Sequence, residues 1–242
     1  MTLLRAGALR RTFGGVTALD GVDVEIAHGE IGGIIGPNGS GKTTLFDCIT
    51  GWCRPDSGDL LLEGRPITGL SPHRIARLGI GRTFQTGRLF PNLSVLENIL
   101  VGGWQRQRGR GHRARASETT ELGLAHLRRL GLAHFADQPA GTLSYGQRKL
   151  VEVAQVLVGD PKLVLLDEPT AGVNAQNVDV LAGLLVDLRD NGQSVLIIEH
   201  ETSSVTSLLD HVVVLDRGRI VARGAASEIE SGASVLERHL GV

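Results

Sequence analysis

The sequence predicts an α/β fold with a mostly parallel sheet, an antiparallel β edge and an inserted helical subdomain. Two observations lead to this prediction. Short apolar runs alternate with longer helical patterns in both halves of the chain, and a glycine-rich loop stands directly between one such run and a helix. Strands that alternate with helices pair in parallel, because each helix carries the chain back across the sheet.

The first half of the chain begins with the antiparallel edge. Short alternating segments from Leu3 to Val24 predict it. Strands are then predicted over Val22–Ile26 and Ile31–Ile35, and a helix is predicted from about Gly41 to Thr50. Strand, loop and helix therefore follow one another directly.

The second half continues the alternation of strands and helices. The predicted elements are a strand over Leu163–Leu166, a helix over Val178–Arg189, a turn at Asp190, Asn191 and Gly192, and strands over Val195–Ile198 and Val212–Leu215.

The middle of the chain has helical patterns without a convincing strand. They cover Val95–Val101, Leu122–Leu130 and Tyr145–Leu157. No internal repeat or Pro-rich linker is visible. We therefore expect one domain over residues 1–242, with an α/β core in residues 1–85 and 159–242 and a helical subdomain in residues 86–158.

Composition excludes several classes of protein. The 242 residues carry 25 Lys and Arg against 26 Asp and Glu, so there is no basic excess of the kind that nucleic-acid binding needs. The apolar runs are far shorter than a membrane span, and the amino terminus shows no secretory signal, which together predict a cytoplasmic location. Cys48 and Cys53 are too few for a disulfide framework, and core packing is expected for them.

One segment of the helical region is rich in arginine. Residues 104–117 read WQRQRGRGHRARAS. A solvated connection between helices is the simplest interpretation, and contact with acidic lipid headgroups or a partner surface stays open.

A phosphate-binding loop follows the strand at Ile31–Ile35. Residues 36–43 read GPNGSGKT and match G-x-x-x-x-G-K-[ST] in the required strand, loop and helix context. Glycines let the chain curl so that backbone N–H groups converge on phosphate oxygens, and the helix start adds a positive dipole end. Lys42 can reach the β- and γ-phosphates, while Thr43 offers a hydroxyl to Mg²⁺. The predicted nucleotide-binding residues here are Gly36, Asn38, Gly39, Ser40, Gly41, Lys42, Thr43 and Thr44.

A second motif ends a buried strand with two carboxylates. Residues 163–169 read LVLLDEP, and side chains alternate along a strand, so Asp167 and Glu168 have different roles. We assign Asp167 to the Mg²⁺ shell, through water, and Glu168 to general-base or water-orienting work in hydrolysis.

A third motif, LSYGQ over residues 143–147, opens an amphipathic helix, and Ser144 is a natural helix cap there. The phosphate loop, RTFQ (82–85), LSYGQ, LVLLDEP and IIEH (197–200) occur in the order and approximate spacing of the ATP-binding-cassette (ABC) ATPases. Over essentially its whole length the chain resembles that family. The resemblance implies a RecA-like P-loop NTPase core, ATP and Mg²⁺ as cofactors, and ATP hydrolysis.

The resemblance also implies roles for residues outside the phosphate loop. Ser144, Gly146 and Gln147 match the signature that contacts the γ-phosphate held by a partner protomer. Gln85 matches the glutamine that senses Mg²⁺ and the attacking water and couples to the membrane partner. His200 matches the switch histidine at the γ-phosphate.

The adenine contact is a looser match. Phe13 stands where the family has an aromatic residue that stacks on adenine, although core packing is its alternative.

Two differences from the common family pattern indicate which branch of the family the chain resembles. Tyr145 stands where many members have Gly, and AGVN over residues 171–174 replaces a serine-initiated loop. With VLENILVG (95–102) and IIEHE, these resemble the ATP-binding subunits of branched-chain amino-acid uptake systems, while sister branches for urea or other small solutes share much of the pattern.

That resemblance implies several partners. They are integral-membrane permease subunits, a second ABC ATPase subunit in a homodimer or heterodimer and, indirectly, a periplasmic or extracellular solute-binding protein. No nucleic acid is expected. The chain would lie peripherally on the inner face of the cell membrane.

Two other functions compete with this interpretation. A soluble ABC-type assembly or translation factor usually has two cassettes or a long coiled-coil insertion, and neither is visible. A P-loop kinase would not need LSYGQ.

Overall fold

The computed structural model describes residues 1–84, 89–103, 112–200 and 205–231. Gln85 and residues 104–111 of the arginine-rich segment lie outside the described residues.

Ten strands and seven helices make up the described part of the chain. The strands are β1 (Thr2–Phe13), β2 (Val16–Ala27), β3 (Ile31–Ile35), β4 (Ser57–Leu62), β5 (Arg65–Pro66), β6 (Ile80–Arg82), β7 (Leu163–Asp167), β8 (Ser194–Glu199), β9 (His211–Asp216) and β10 (Arg219–Gly224). The helices are α1 (Lys42–Ile49), α2 (Pro72–Arg77), α3 (Val95–Gly102), α4 (His112–Arg129), α5 (Tyr145–Leu157), α6 (Ala175–Asp190) and α7 (Ala226–Ser231). None of these helices is both long enough and apolar enough to cross a bilayer.

The central sheet has six strands in the order β10-β9-β3-β8-β7-β6. Every neighbouring pair from β9 to β6 is parallel, and only β10 runs antiparallel to its neighbour. The predicted mostly parallel sheet is therefore confirmed. Because parallel strands share a direction, the carboxyl ends of β3, β7 and β8 meet at one edge, where ligands bind in α/β sheets.

Both faces of the central sheet are buried. Along β7, Val164 and Leu166 belong to one apolar cluster, whereas Leu163 and Leu165 belong to a second cluster on the opposite face. Helices α5 and α6 cover the first face, and α1 with the amino-terminal strands covers the second. Cys48 is buried in this second cluster, as predicted. Burial on both faces explains why these strands read as continuous apolar runs.

The predicted antiparallel edge forms a separate sheet. It has four antiparallel strands in the order β2-β1-β4-β5. The strand predicted over Val22–Ile26 is the second half of the twelve-residue β2, so the prediction of several short segments was wrong. Gly14 and Gly15, at φ 50° and 87°, make the tight turn that joins β1 to β2 as one long hairpin.

The helical middle segment packs on the first face of the central sheet. Val95 and Ile99 of α3 and Leu127 of α4 share one apolar cluster with Val164 and Leu166 of β7. Within residues 89–103 and 112–158 the structure has no strand, only one isolated β-bridge between Ser94 and Pro139. Helix α4 starts at His112, ten residues before the predicted start at Leu122. The prediction missed this first half because its polar sequence has no apolar periodicity. The division of the chain at residues 85–86 and 158–159 stays a prediction.

Candidate nucleotide-binding site

The loop between β3 and α1 has a backbone that requires glycine. Gly39 and Gly41 have φ 78° and 109°, in the left-handed region that other residues avoid. A Cβ atom on Gly41 would lie 2.3 Å from the carbonyl oxygen of Ala18, and one on Gly36 would lie 2.1 Å from that of Leu215. The loop therefore curls tightly around the start of α1, where free N–H groups and the positive end of the helix dipole favour an anion.

The Lys42 side chain folds back over this loop. Its ammonium Nζ is buried and donates to the carbonyl oxygens of Gly36 at 2.6 Å and Pro37 at 3.0 Å. Burial lowers the pKa of Lys42, and the nearby carboxylates of Glu168, Asp167 and Glu199 oppose that shift. A cation is thus held at the loop, and its hydrogen-bond partners among the described residues are two neutral carbonyls that an incoming phosphate could replace.

A cavity of about 310 Å³ opens over the loop. Its lining residues are Ala18, Asn38, Gly39, Ser40, Gly41, Lys42, Thr43, Thr44 and Glu168. The structure thus brings the predicted loop residues together with Glu168, while Gly36 lies beneath the Lys42 ammonium. The hydroxyl Oγ of Ser40 is buried and has no hydrogen-bond partner within the described residues. An unpaired buried hydroxyl and a glycine cradle fit a nucleotide phosphate at this place.

Asp167 lies at the carboxyl end of β7 and is 1% exposed. Its Oδ2 accepts a hydrogen bond from Arg82 at 3.0 Å, whereas its Oδ1 has no partner in the described part of the chain. Burial raises the pKa of the Asp167 carboxyl, and the hydrogen bond and charge of Arg82 oppose that shift. A buried carboxylate oxygen without a partner fits a hydrated divalent cation.

Glu168 is paired with His200. The Nε2 atom of His200 lies 3.1 Å from Oε1 of Glu168, and the backbone N–H of Glu168 donates to the carbonyl oxygen of Ile198 at 3.0 Å. Glu168 has φ 48°, a conformation that costs a non-glycine residue about 1–2 kcal/mol. The two motifs LVLLDEP and IIEH, which are far apart in sequence, therefore meet at the edge of the phosphate-loop cavity.

The signature residues lie away from this cavity. Ser144 caps helix α5, as predicted, and forms a capping box with Gln147. The N–H of Gln147 donates to Oγ of Ser144 at 3.3 Å, and the N–H of Ser144 donates to Oε1 of Gln147 at 2.9 Å. Ser144 is exposed, and none of Ser144, Gly146 and Gln147 lines the cavity of the phosphate loop. The phosphate loop and the signature therefore lie at two separate helix starts of one chain, at Lys42 and at Tyr145.

Phe13 lies at the end of β1 and is 46% exposed. The guanidinium carbon of Arg11 lies 4.5 Å from the centre of its ring. Its ring is available at the surface but does not line the phosphate-loop cavity. The sequence alternative of core packing is wrong for Phe13, because nearly half of the side chain faces solvent.

Two residues that make polar contacts at the site, Arg82 and Glu199, were not assigned a role from the sequence. Arg82 links Asp167 to Asp47 of α1, at 3.0 Å and 2.5 Å, and so joins the strand end to the helix of the phosphate loop. Glu199 accepts hydrogen bonds from Thr170. Arg82 belongs to the RTFQ motif and Glu199 to the IIEH motif. Each is a charged residue at the end of a strand, and this position was the signal in the sequence that could have indicated a polar contact.

A glycine-rich loop between a parallel strand and a helix, with two consecutive carboxylates at the end of another strand of the same sheet, defines a P-loop nucleotide-binding protein. The profile of the ABC transporter family matches residues 19–171, and the chain belongs to this family of ATP-hydrolysing cassettes.

Known relatives agree with this assignment. The chain is 36% identical over 249 residues to BraF, a high-affinity branched-chain amino acid transport ATP-binding protein of Pseudomonas aeruginosa, covering 99% of this chain and 98% of BraF. The ADP conformation of the ABC cassette MJ1267 superposes with a TM-score of 0.87 at 35% identity, covering 98% of each chain. The dimeric cassette MJ0796 superposes with a TM-score of 0.82 at 25% identity, covering 93% of this chain and 99% of that one.

Proposed function

We propose that this chain binds and hydrolyses Mg-ATP in a site shared by two protomers and thereby drives branched-chain amino-acid import through a separate membrane permease. One observation supports the chemistry most directly. The buried Lys42 and Glu168, which is paired with His200, line one cavity over the phosphate loop.

The phosphate loop is proposed to hold the triphosphate. Backbone N–H groups from Asn38 to Thr44 would surround the β- and γ-phosphates, and Lys42 would exchange its two carbonyl partners for phosphate oxygens. Thr43, Asp167 and Gln85 are proposed to hold Mg²⁺, which when bound neutralises charge that develops during phosphoryl transfer. Phe13 offers its exposed ring to the adenine base.

Glu168 is proposed to orient the attacking water and accept its proton. Its carboxylate lines the cavity, so it can reach a water beside the terminal phosphate. His200 would fix the orientation of that carboxylate through the 3.1 Å contact and then turn to the γ-phosphate. Glu168 has a left-handed backbone, and it lines the cavity over the phosphate loop.

The signature is proposed to act on the site of the partner protomer. The capping box uses the N–H groups of Ser144 and Gln147, so the N–H groups of Tyr145 and Gly146 at the start of α5 are the ones proposed to meet an anion that a second chain presents. The dimeric form of the related cassette MJ0796 supports this arrangement.

The permease is proposed to dock beside the helical segment. A groove of about 390 Å³ lies between β6, α2 and α5. Phe84 and the exposed Phe90 line it, and the ring of the exposed Trp52 lies 5.8 Å from that of Phe84. Gln85 directly follows Phe84, so nucleotide state could be sensed at the groove. This docking would place the chain peripherally on the inner face of the membrane.

The solute is tested by transport in cells. We expect deletion of the gene to reduce uptake of labelled leucine, isoleucine and valine and to leave urea uptake unchanged, because only the coupled permease loses its motor. The wild-type gene should restore uptake, and a Glu168→Gln gene should not. Normal amino-acid uptake in the deletion strain, in a background without a redundant system, would reject the assignment of solute.

A further inference from the structure

The carboxyl ends of β7 and β8 are joined by three contacts around Glu168. The N–H of Glu168 donates to Ile198, its carboxylate contacts His200, and two residues further on Thr170 contacts Glu199. The residues after β7 form a turn, in which the N–H of Ala171 donates to the carbonyl oxygen of Glu168 at 3.3 Å. A strained residue keeps its conformation only where its surroundings hold it on both sides.

Glu199 holds the far side of this turn. One oxygen, Oε1, accepts from the backbone N–H of Thr170 at 3.2 Å and from its hydroxyl Oγ1 at 2.7 Å. Glu199 is 6% exposed and is the last residue of β8, directly before His200. The same oxygen therefore ties the turn that carries Glu168 to the strand that carries His200.

We infer that Glu199 is a positioning residue for ATP hydrolysis, which fixes the 168–170 turn so that the Glu168 carboxylate stays aligned with His200. The inference rests on the roles proposed above for Glu168 and His200. Glu199 does not line the phosphate-loop cavity and contacts the site through Thr170. Its negative charge also acts on Lys42, but Glu199→Gln and Glu199→Leu both remove that charge. The difference between these two variants should therefore fall on the rate of the chemical step and not on binding.

Two substitutions of Glu199 distinguish the loss of its hydrogen-bond acceptor from the loss of its negative charge. Both Thr170 donors need an oxygen acceptor at Oε1, and the side-chain carbonyl of glutamine offers one in the same place. Leucine has a similar size but no acceptor, so it leaves the Thr170 N–H and hydroxyl without their partner. Glu199→Gln should therefore keep the turn, and Glu199→Leu should release it.

The test compares steady-state kinetics of the purified full chain with its nucleotide affinity. We expect Glu199→Leu to lower kcat by roughly 10- to 100-fold, because small misplacement of a catalytic group has effects of this size. The KM for ATP and the affinity for ADP should stay within about twofold. Glu199→Gln should recover most of the lost kcat. Thr170→Val removes only the hydroxyl donor and should lower kcat by roughly 3- to 10-fold.

A double variant tests whether the two residues act through one contact. Thr170→Val should have no further effect in the Glu199→Leu background, because the acceptor is already absent. Ile197→Val lies in the same strand and changes a side chain that cannot accept a hydrogen bond from Thr170, so it is the matched control and should keep wild-type kcat. If Glu199→Leu does not fold, the Thr170→Val chain, altered at a partly buried turn residue, decides the question alone.

The outcomes separate this inference from the function on which it rests. Glu168→Gln and His200→Ala are measured beside the other variants. If both are inactive while Thr170→Val and Glu199→Leu keep wild-type kcat, the positioning role is wrong and the proposed function stands. Equal losses in kcat for Glu199→Gln and Glu199→Leu would also overturn it, as would a loss that appears in KM. Wild-type turnover by Glu168→Gln would instead refute the proposed function.

Discussion

Lys42→Ala is expected to weaken ATP binding by at least about 100-fold. A hydrogen bond to a charged group contributes about 1.5–3 kcal/mol, and the ammonium would make more than one such bond to phosphate oxygens. Three carboxylates, Asp167, Glu168 and Glu199, lie close enough to Lys42 to affect its titration. Without the cation, their field would repel the triphosphate.

The Lys42→Ala substitution should also change the conformation of the phosphate loop. Lys42 bridges the carbonyl oxygens of Gly36 and Pro37, and alanine leaves both without this donor. Equilibrium dialysis with a non-hydrolysable ATP analogue measures the affinity. Lys162→Ala is the matched control, since Lys162 is an exposed lysine that pairs with Glu63 on the surface. Affinity within about threefold of wild type for Lys42→Ala would contradict the role of this residue.

Glu168→Gln is expected to lower turnover by about 10²- to 10⁴-fold, the usual range for a removed general base. ATP affinity should be unchanged or tighter, because the substitution removes a negative charge from a cavity that receives phosphates. Glutamine keeps the shape of the side chain and can still accept a hydrogen bond from His200. Steady-state hydrolysis and dialysis on the same sample separate the two effects.

A second glutamate paired with histidine provides the control. Glu30 contacts His211 at the amino-terminal end of β3, the opposite edge of the sheet from the phosphate loop. Glu30→Gln should therefore keep wild-type turnover. Wild-type turnover in Glu168→Gln would remove the general-base role from Glu168, and equal losses in both variants would show a structural effect.

The sequence predicted four of the six strands of the central sheet almost to the residue. Ile31–Ile35 is β3 as predicted, and β7, β8 and β9 extend their predictions by only one residue at one or both ends. These strands are buried on both faces, so their apolar runs begin and end where the strands do. The phosphate loop was equally clear, because its glycines stand where the backbone turns left-handed.

Other elements gave no comparable local signal. Strand β4 begins with exposed Ser57, Gly58 and Asp59, and β10 alternates exposed and partly buried positions with two arginines. Strand β6 has only three residues. Their conformations depend on pairing with distant strands, which no local pattern in the sequence reports.

The residues of the site also fall into those that the sequence predicted and those that it did not. Lys42 and Glu168 lie in short motifs, GPNGSGKT and LVLLDEP, whose residue types predict phosphate binding and hydrolysis. The contacts of Arg82 with Asp167 and of Thr170 with Glu199 join residues 85 and 29 positions apart, so they depend on the order of strands in the sheet. The signature residue Ser144 does not line the phosphate-loop cavity of its own chain, and its proposed target lies on a second protomer.

The shared site is the central claim, and a pair of mixed dimers tests it most directly. One mixture combines a Lys42→Ala chain with a Ser144→Arg chain, which puts both defects in one shared site and leaves the other intact. The second combines wild type with a Lys42→Ala, Ser144→Arg double variant, which puts one defect in each site. The two dimers contain the same substitutions and differ only in their arrangement.

Single-turnover hydrolysis is measured on isolated mixed dimers, so that neither site needs the other to complete a cycle. Our account predicts hydrolysis in the dimer of two single variants and none in the dimer of wild type with the double variant. The reverse result would contradict it, because a signature that acts on its own chain leaves one wild-type site only in the second dimer.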